Sequence, residues 1–325
     1  MKPLPLNVQT LYADLAQSVT FSTTLPASVF TQTIRGKPYL YAAEKHGAVR
    51  ITRYLGLAED PDTAERAENI RRAAQDAKVR RTTVSMLKRS GVPAPTIAMG
   101  RVLDAIAKAG LFNNGIVLVG TAAYQVYPAV VGAALSPAAL TTQDADLAAA
   151  SLAVTSDVEG ESLLDVLKRA DPTFIPQPNL DPRSPPRRFR SAAGLEVDVL
   201  TRHRTRADEE RAVVMPGLKC SAQPMRYLEF LIADPIAAVA LYGPGVPVTV
   251  PQPARYAVHK LIVAQVRAEA SVKRGKDLAQ AKELITALGL ADPRSVETAI
   301  ANARHRGAKW KAHLDRSLRE IGLDL

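Results

Sequence analysis

Three aspartates have the spacing of a metal site for phosphoryl chemistry. Asp144 and Asp146 are separated by one residue, and Asp198 lies in a later stretch of alternating polarity. Side chains two residues apart on a strand point to the same face, so the first two carboxylates can share a cation. Carboxylate oxygens suit hard cations such as Mg²⁺ or Mn²⁺. With the third carboxylate on an adjacent strand, the set predicts a two-metal site that holds a triphosphate and activates a hydroxyl.

The residues around Asp198 support this orientation. From Leu195 to Leu200, apolar side chains alternate with Glu196 and Asp198, so both carboxylates fall on one face of a strand. A strand buried on both sides would not keep two acids facing one way without cations or basic partners. Asp198 is therefore expected to bind metal or to orient the attacking hydroxyl.

Phosphate contacts are expected at a turn between a strand and a helix. The apolar residues 116–119 predict a strand, Gly120 and Thr121 follow directly, and a helical pattern continues to Ala134. Glycine lets the backbone approach a phosphate, and the first N–H groups of a helix favour anions. Lys260 lies in an apolar helical pattern where an unpaired lysine would be costly. Two interpretations of it stay open: a contact to the triphosphate or a carboxylate, or a lysine at the helix edge.

The elements that must position these residues divide the chain into three predicted parts. Residues 1–92 form a hairpin and a basic helix, residues 93–212 carry the candidate site, and residues 213–325 are mixed and then helical. The fold class expected is α+β, with a small mixed β-sheet flanked by helices, an N-terminal hairpin-helix module and a helical C-terminal region. A further strand is expected at residues 227–232.

The order of these motifs resembles the nucleotidyltransferase superfamily of the polymerase-beta type. The matching stretches are Val119-Gly120-Thr121, Asp144-Ala145-Asp146-Leu147 and Val197-Asp198-Val199. The sequence departs from that pattern at Thr121, where serine is usual, and at Gln143, where an apolar residue is more common. The gap between Gly120 and Asp144 also implies an insertion. None of these departures removes a metal ligand.

Two other stretches resemble a narrower group of that superfamily. The segment from Tyr39 to Gly56 is similar to a hairpin of an uncharacterised bacterial branch of nucleotidyltransferase-like proteins. The segment from His259 to Leu278 is similar to the helical part of that branch and of AbiEii-type toxins. Together the similar stretches span most of the chain, but the specific motif residues are few.

The resemblance implies a magnesium-dependent or manganese-dependent enzyme that moves a nucleoside monophosphate from an NTP such as ATP to a hydroxyl, with release of pyrophosphate. In such an enzyme Asp144, Asp146 and Asp198 are the catalytic, metal-binding residues. By the same resemblance, Gly120, Thr121 and Lys260 are the residues that bind the nucleotide. The acceptor stays open between RNA such as tRNA, a protein hydroxyl and a small molecule.

Charge and composition bound the remaining alternatives. The net charge of +10 favours polyanionic partners. A rival function is therefore a nucleic-acid-binding module on a catalytically degenerate scaffold, with residues 63–89 and 182–190 as contacts. The single Cys220 excludes an internal disulfide and a structural zinc site built on cysteines. Since no apolar stretch reaches the length of a membrane span, a cytoplasmic protein without a membrane partner is expected.

Overall fold

The computed structural model describes most of the chain. The described residues are 2–20, 27–46, 49–136, 149–154, 161–179, 184–203 and 212–323. The elements, contacts and distances given below are those of these residues.

The N-terminal part combines a three-stranded antiparallel sheet with two helices. In chain order its elements are β1 (Lys2–Pro3), α1 (Leu6–Thr20), β2 (Ser28–Ile34), β3 (Lys37–His46), β4 (Val49–Leu57) and α2 (Pro61–Arg89). β3 is the central strand of the sheet. Leu40 and Leu55 on one sheet face pack against Ala67 and Ile70 of α2, so a small apolar cluster joins the sheet to the helix.

A mixed sheet forms the middle of the molecule. Its region contains β5 (Ile116–Val119), β6 (Ala133–Ala134), β7 (Ala149–Val154), β8 (Ile175–Pro176), β9 (Arg188–Arg190), β10 (Glu196–Arg202), β11 (Val213–Met215) and β12 (Cys220–Met225). β7 lies between β5, which is antiparallel to it, and β10, which is parallel. The other edge of β10 is shared by β9 and β12, and β6 pairs with β1 instead of joining this sheet. β10 is thus an interior strand.

Helices and one further hairpin surround the sheet. They are α3 (Ile97–Lys108), α4 (Gly120–Tyr124), α5 (Tyr127–Val130), α6 (Leu163–Ala170), α7 (Leu228–Leu231), β13 (Ile236–Ala240), β14 (Val246–Val250), α8 (Pro253–Ala264), α9 (Val272–Ala291), α10 (Pro293–Arg304) and α11 (Ala308–Glu320). α8 is the central C-terminal helix, with Tyr256, Leu261 and Ile262 fully buried. One continuous core joins α3, the mixed sheet and the C-terminal helices. The α+β class is confirmed.

Several local expectations need correction. Residues 227–232 form the short helix α7 and not a strand; a short apolar run has no period that separates the two. The expected helix from Thr121 is split into α4 and α5, and Gly132 beyond them has a φ of +64°. The N-terminal hairpin is part of a three-stranded sheet because β2 pairs with β3.

The start of α2 is marked by a contact between Asp60 and Thr63. The helix begins at Pro61, so Asp60 is its N-cap residue, and the hydroxyl of Thr63 donates to the Asp60 carboxylate at 2.5 Å. Proline suits the first helical position because its fixed φ is helical and its missing N–H needs no partner there. Among the described residues, no helix combines the length and apolar character needed to cross a membrane.

Candidate active site

The strand register places two of the sequence-predicted features on either side of β7. Val119 of β5 and Asp198 of β10 are both aligned with Ser151, one from each neighbouring strand. Two strand spacings separate their backbones by about 10 Å. Gly120 and Thr121 follow Val119 directly, so the turn and the Asp198 carboxylate belong to one region of the sheet.

The other two predicted metal ligands lie outside the described residues. Asp144 and Asp146 both fall between Ser136 and Ala149, where the description is interrupted. In sequence, Asp146 precedes Ala149, the first residue of β7, by three positions. Within the described part of the chain, no cluster of three or more His, Cys, Asp or Glu side chains is arranged to hold a metal ion.

Asp198 has the orientation that its alternating sequence predicts. Val197 and Val199 are buried on one face of β10, whereas Glu196 and Asp198 are partly exposed on the other. Both acids therefore remain accessible on a strand whose apolar side chains anchor it in the core.

Arg188 holds the Asp198 carboxylate. It is directly opposite Asp198 in the β9–β10 pair, and its Nε donates to Oδ1 at 2.6 Å. This hydrogen bond and the opposite charge raise the pKa of the Arg188 guanidinium above its ordinary value. Arg188 was not among the residues predicted from the sequence. The sequence feature that could have identified it is the hairpin register, because residues equidistant from a turn near Ala193 face each other across the two strands.

A tyrosine fixes the turn that begins α4. Gly120 has a φ of +68°, in the left-handed region that glycine tolerates best. The hydroxyl of Tyr256 in α8 donates to the Gly120 carbonyl at 3.0 Å and lies 3.2 Å from Oε1 of Gln280 in α9. Burial raises the pKa of Tyr256 well above 10, so the hydroxyl keeps its proton. The turn is thus positioned by the C-terminal helices, a role that the sequence did not reveal.

Lys260 lies one helical turn beyond Tyr256 on α8. Its Nζ is 5.3 Å from the centre of the Tyr256 ring and 2.5 Å from Oδ1 of Asp277 in α9. Asp277 is only 4% exposed and also accepts from Nε of Arg267 at 2.7 Å. The structure therefore brings Lys260 near the tyrosine that contacts Gly120, but its ammonium group is paired with a buried carboxylate.

The neighbouring His259 is held neutral. Burial lowers the pKa of its imidazole to about 3, and the charge of Lys260 acts in the same direction. A neutral imidazole at this position adds no positive charge beside the Lys260–Asp277 pair.

His203 belongs to a different part of the molecule. It follows β10, whose last residue Arg202 is four residues, or about 13 Å, along the strand from Asp198. It lines a cleft of about 490 Å³ with basic and aromatic side chains that include Arg306, Lys309 and Trp310. His203, the residue after Arg202, therefore lies far along the strand from Asp198.

The comparisons with known proteins give one match. A family model described as "Nucleotidyltransferase" matches residues 98–305, which is more than half of the chain and includes α3, the mixed sheet and α8 to α10. No curated protein and no solved structure matches the chain.

Proposed function

Because the chain belongs to the nucleotidyltransferase family, we propose that it transfers a nucleoside monophosphate from an NTP to a hydroxyl acceptor at the Asp198 site. The chain is a nucleotidyltransferase by family. The observation that carries the proposed site is the register across β7, which aligns the start of the Gly120-Thr121 turn with Asp198.

The donor set suits a divalent cation. Asp198 presents a partly exposed carboxylate on a strand anchored by buried valines, and Asp144 and Asp146 would supply two more. Three carboxylates are oxygen ligands of the kind that Mg²⁺ prefers. Bound there, Mg²⁺ would neutralise charge on the triphosphate and lower the pKa of the attacking hydroxyl.

The remaining steps belong to the side chains and backbone of this protein. The Gly120 turn and the Thr121 hydroxyl bind triphosphate oxygens, and Tyr256 keeps the turn in place. Lys260 lies near that turn, in a network with Arg267 and Asp277 that carries one net positive charge. Arg188 pairs with Asp198, the residue that binds metal or directs the acceptor hydroxyl.

The reaction balances without an additional reactant. The acceptor oxygen forms a bond to the α-phosphorus, the bond between that phosphorus and the bridging oxygen breaks, and pyrophosphate leaves. The proton of the acceptor hydroxyl passes to a carboxylate or to solvent. ATP as the donor and a cytoplasmic location are part of this proposal, because ATP and Mg²⁺ are both abundant in the cytoplasm.

Membership of the AbiEii-related branch is also proposed. The segment similar to that branch folds as α8 and α9, and it brings Lys260, Arg267 and Asp277 into one ion-pair network. A toxin-like enzyme would arrest growth when expressed, and an inactive variant would not.

The direct test is label transfer. Each α-³²P-labelled NTP is incubated with the protein, Mg²⁺ and cell extract, and the labelled fraction is identified. We expect Asp146→Asn and Asp198→Asn to abolish transfer with unchanged circular dichroism. Glu196→Gln is the matched control, because it alters a carboxylate on the same face of β10 and should retain transfer. Unchanged transfer by Asp198→Asn would overturn the assignment.

A further inference from the structure

An aromatic row crosses the N-terminal sheet on the face opposite α2. Phe30, Tyr41 and Tyr54 are directly aligned on β2, β3 and β4. The ring centres are 5.6 Å apart between Phe30 and Tyr41 and 5.4 Å apart between Tyr41 and Tyr54. Tyr39 extends the row, with its ring centre 5.9 Å from that of Tyr54. The aromatic face, defined by these four residues, lies before the segment that the family model matches.

The aromatic face is accessible. Leu40 and Leu55 bury the opposite side of the sheet against α2, whereas 54% of Tyr54 is exposed. Cross-strand aromatic pairs do stabilise a sheet. Aromatic residues make up only 5% of this chain, however, so four of them on the sheet face away from α2 is a local concentration.

The segment that forms this sheet is basic. Residues 28–57 contain one acidic residue, Glu44, and five basic residues, namely Arg35, Lys37, Lys45, Arg50 and Arg53. The Arg50 guanidinium lies 5.2 Å from the centre of the Phe30 ring. Aromatic rings that accept stacked bases, together with cations that pair with phosphates, are the features of surfaces that bind single-stranded nucleic acid.

The helix α2 holds this face at a distance from the core. Ala67 and Ile70 contact the sheet, while Val84 and Leu87 pack in the cluster that contains α1. Val84 lies 14 positions after Ile70, which corresponds to about 21 Å of helix. A ligand that contacts both the aromatic face and the core must bridge this length, which favours a polymer over a small acceptor.

We propose that the aromatic face binds single-stranded nucleic acid and recruits it as the acceptor of nucleotidyl transfer. The acceptor role, though not the binding, rests on the proposed function. Bases stack on Tyr41 and Tyr54, and Arg50 contacts a phosphate. A free nucleotide would occupy only part of this row.

The test measures binding without NTP or Mg²⁺. Fluorescence anisotropy is recorded with single-stranded RNA and DNA of mixed sequence, about 20 nucleotides long so that they exceed one stacking platform, at several salt concentrations. Replacing both rings, Tyr41→Ala with Tyr54→Ala, should weaken binding by about tenfold or more. Tyr54→Phe keeps a ring and should bind as the unaltered protein does. Arg50→Gln should reduce the slope of log affinity against log salt by about one phosphate contact.

Two further variants test whether the nucleic acid contacts the basic helix α2 instead, and whether weaker binding results only from unfolding of the sheet. Arg71→Gln removes an exposed charge from α2 and should leave binding nearly unchanged, whereas a large loss there would place the contact on the basic helix and overturn the proposal. If the double variant loses its sheet by circular dichroism, the single change Tyr54→Ser at the exposed ring replaces it.

The outcomes show which nucleic acid binds, and they separate this inference from the proposed catalytic function. Preference for RNA or for DNA identifies the source of the strand, and either supports the inference. The inference is overturned if neither strand binds at low salt (about 50 mM, where phosphate contacts are strong), or if the variant that lacks the rings of Tyr41 and Tyr54 binds as the unaltered protein does. Either result would favour a protein partner at this face. Because the assay contains neither NTP nor Mg²⁺, it measures binding alone, so a failed transfer reaction does not affect this result.

Discussion

At the scale of single residues, the Asp198–Arg188 pair bears on the proposed cation site. In that site, the guanidinium and a divalent cation would compete for the same carboxylate oxygens. We therefore expect Arg188→Gln to lower the Mg²⁺ concentration that gives half-maximal label transfer. The Arg188 side chain is about half exposed, so the free energy of unfolding should change by less than about 1 kcal/mol.

A magnesium titration of transfer, with a urea melt of the same variant, measures both quantities. Arg190→Gln is a suitable control, because Arg190 faces Glu196 and not Asp198 on the same two strands. A higher magnesium requirement in Arg188→Gln would show that the arginine assists the cation instead of competing with it.

The same residues show what sequence reasoning can reach. Strand parity predicts the exposed orientation of Asp198, because only alternating side chains are needed. The partner of Lys260 is different, since Asp277 is 17 positions away on another helix. A carboxylate partner for Lys260 is one of the sequence interpretations, but that this carboxylate is Asp277 depends on how α8 packs against α9. The same holds for Tyr256 and the Gly120 carbonyl, which are 136 positions apart.

At the scale of elements, one buried carboxylate links α8 to α9. Asp277 pairs with both Lys260 and Arg267, and its removal leaves two cations close together in a poorly solvated place. We expect Asp277→Asn to lower the free energy of unfolding by about 3 kcal/mol, measured by urea denaturation.

The control for this change is Asp315→Asn on α11. Asp315 pairs with Arg304 of α10 at 2.9 Å, but about a third of each side chain is exposed. Such a pair contributes about 1 kcal/mol or less. Equal effects of the two changes would mean that the Asp277 network does not hold α8 to α9.

Elements differ in how far the sequence determines them. The last four helices confirm the helical C-terminal region, and Pro253 and Pro293 suit helix starts. The run from Leu228 is short and apolar, and either regular structure buries it equally well. Packing stabilises a helix there, and Tyr227, the residue directly before it, adopts a φ of +66°.

At the scale of the whole molecule, the family model covers the mixed sheet and most of the C-terminal helices but not the N-terminal sheet. The match begins at residue 98, after the sheet of β2, β3 and β4 and after α2. This sheet has its own apolar cluster, in which Ala27, Ala42 and Ala67 supply half of the buried residues. Alanine buries little area, so the sheet gains less from the hydrophobic effect than the central strands do. The basic charge of the chain gives both parts an attraction to polyanions.

These differences predict unequal local stability. In native-state hydrogen exchange, amides of β3 should open at a free energy at least about 2 kcal/mol lower than amides of β5, all of whose side chains are buried. Adding the single-stranded oligonucleotide without NTP should slow exchange in β3 and β4 but leave β5 unchanged, because binding stabilises only the unit it contacts. The Tyr54→Ser protein provides the control and should show no such slowing. Equal protection of β3 and β5 would mean that the N-terminal sheet and the nucleotidyltransferase core unfold as one cooperative unit.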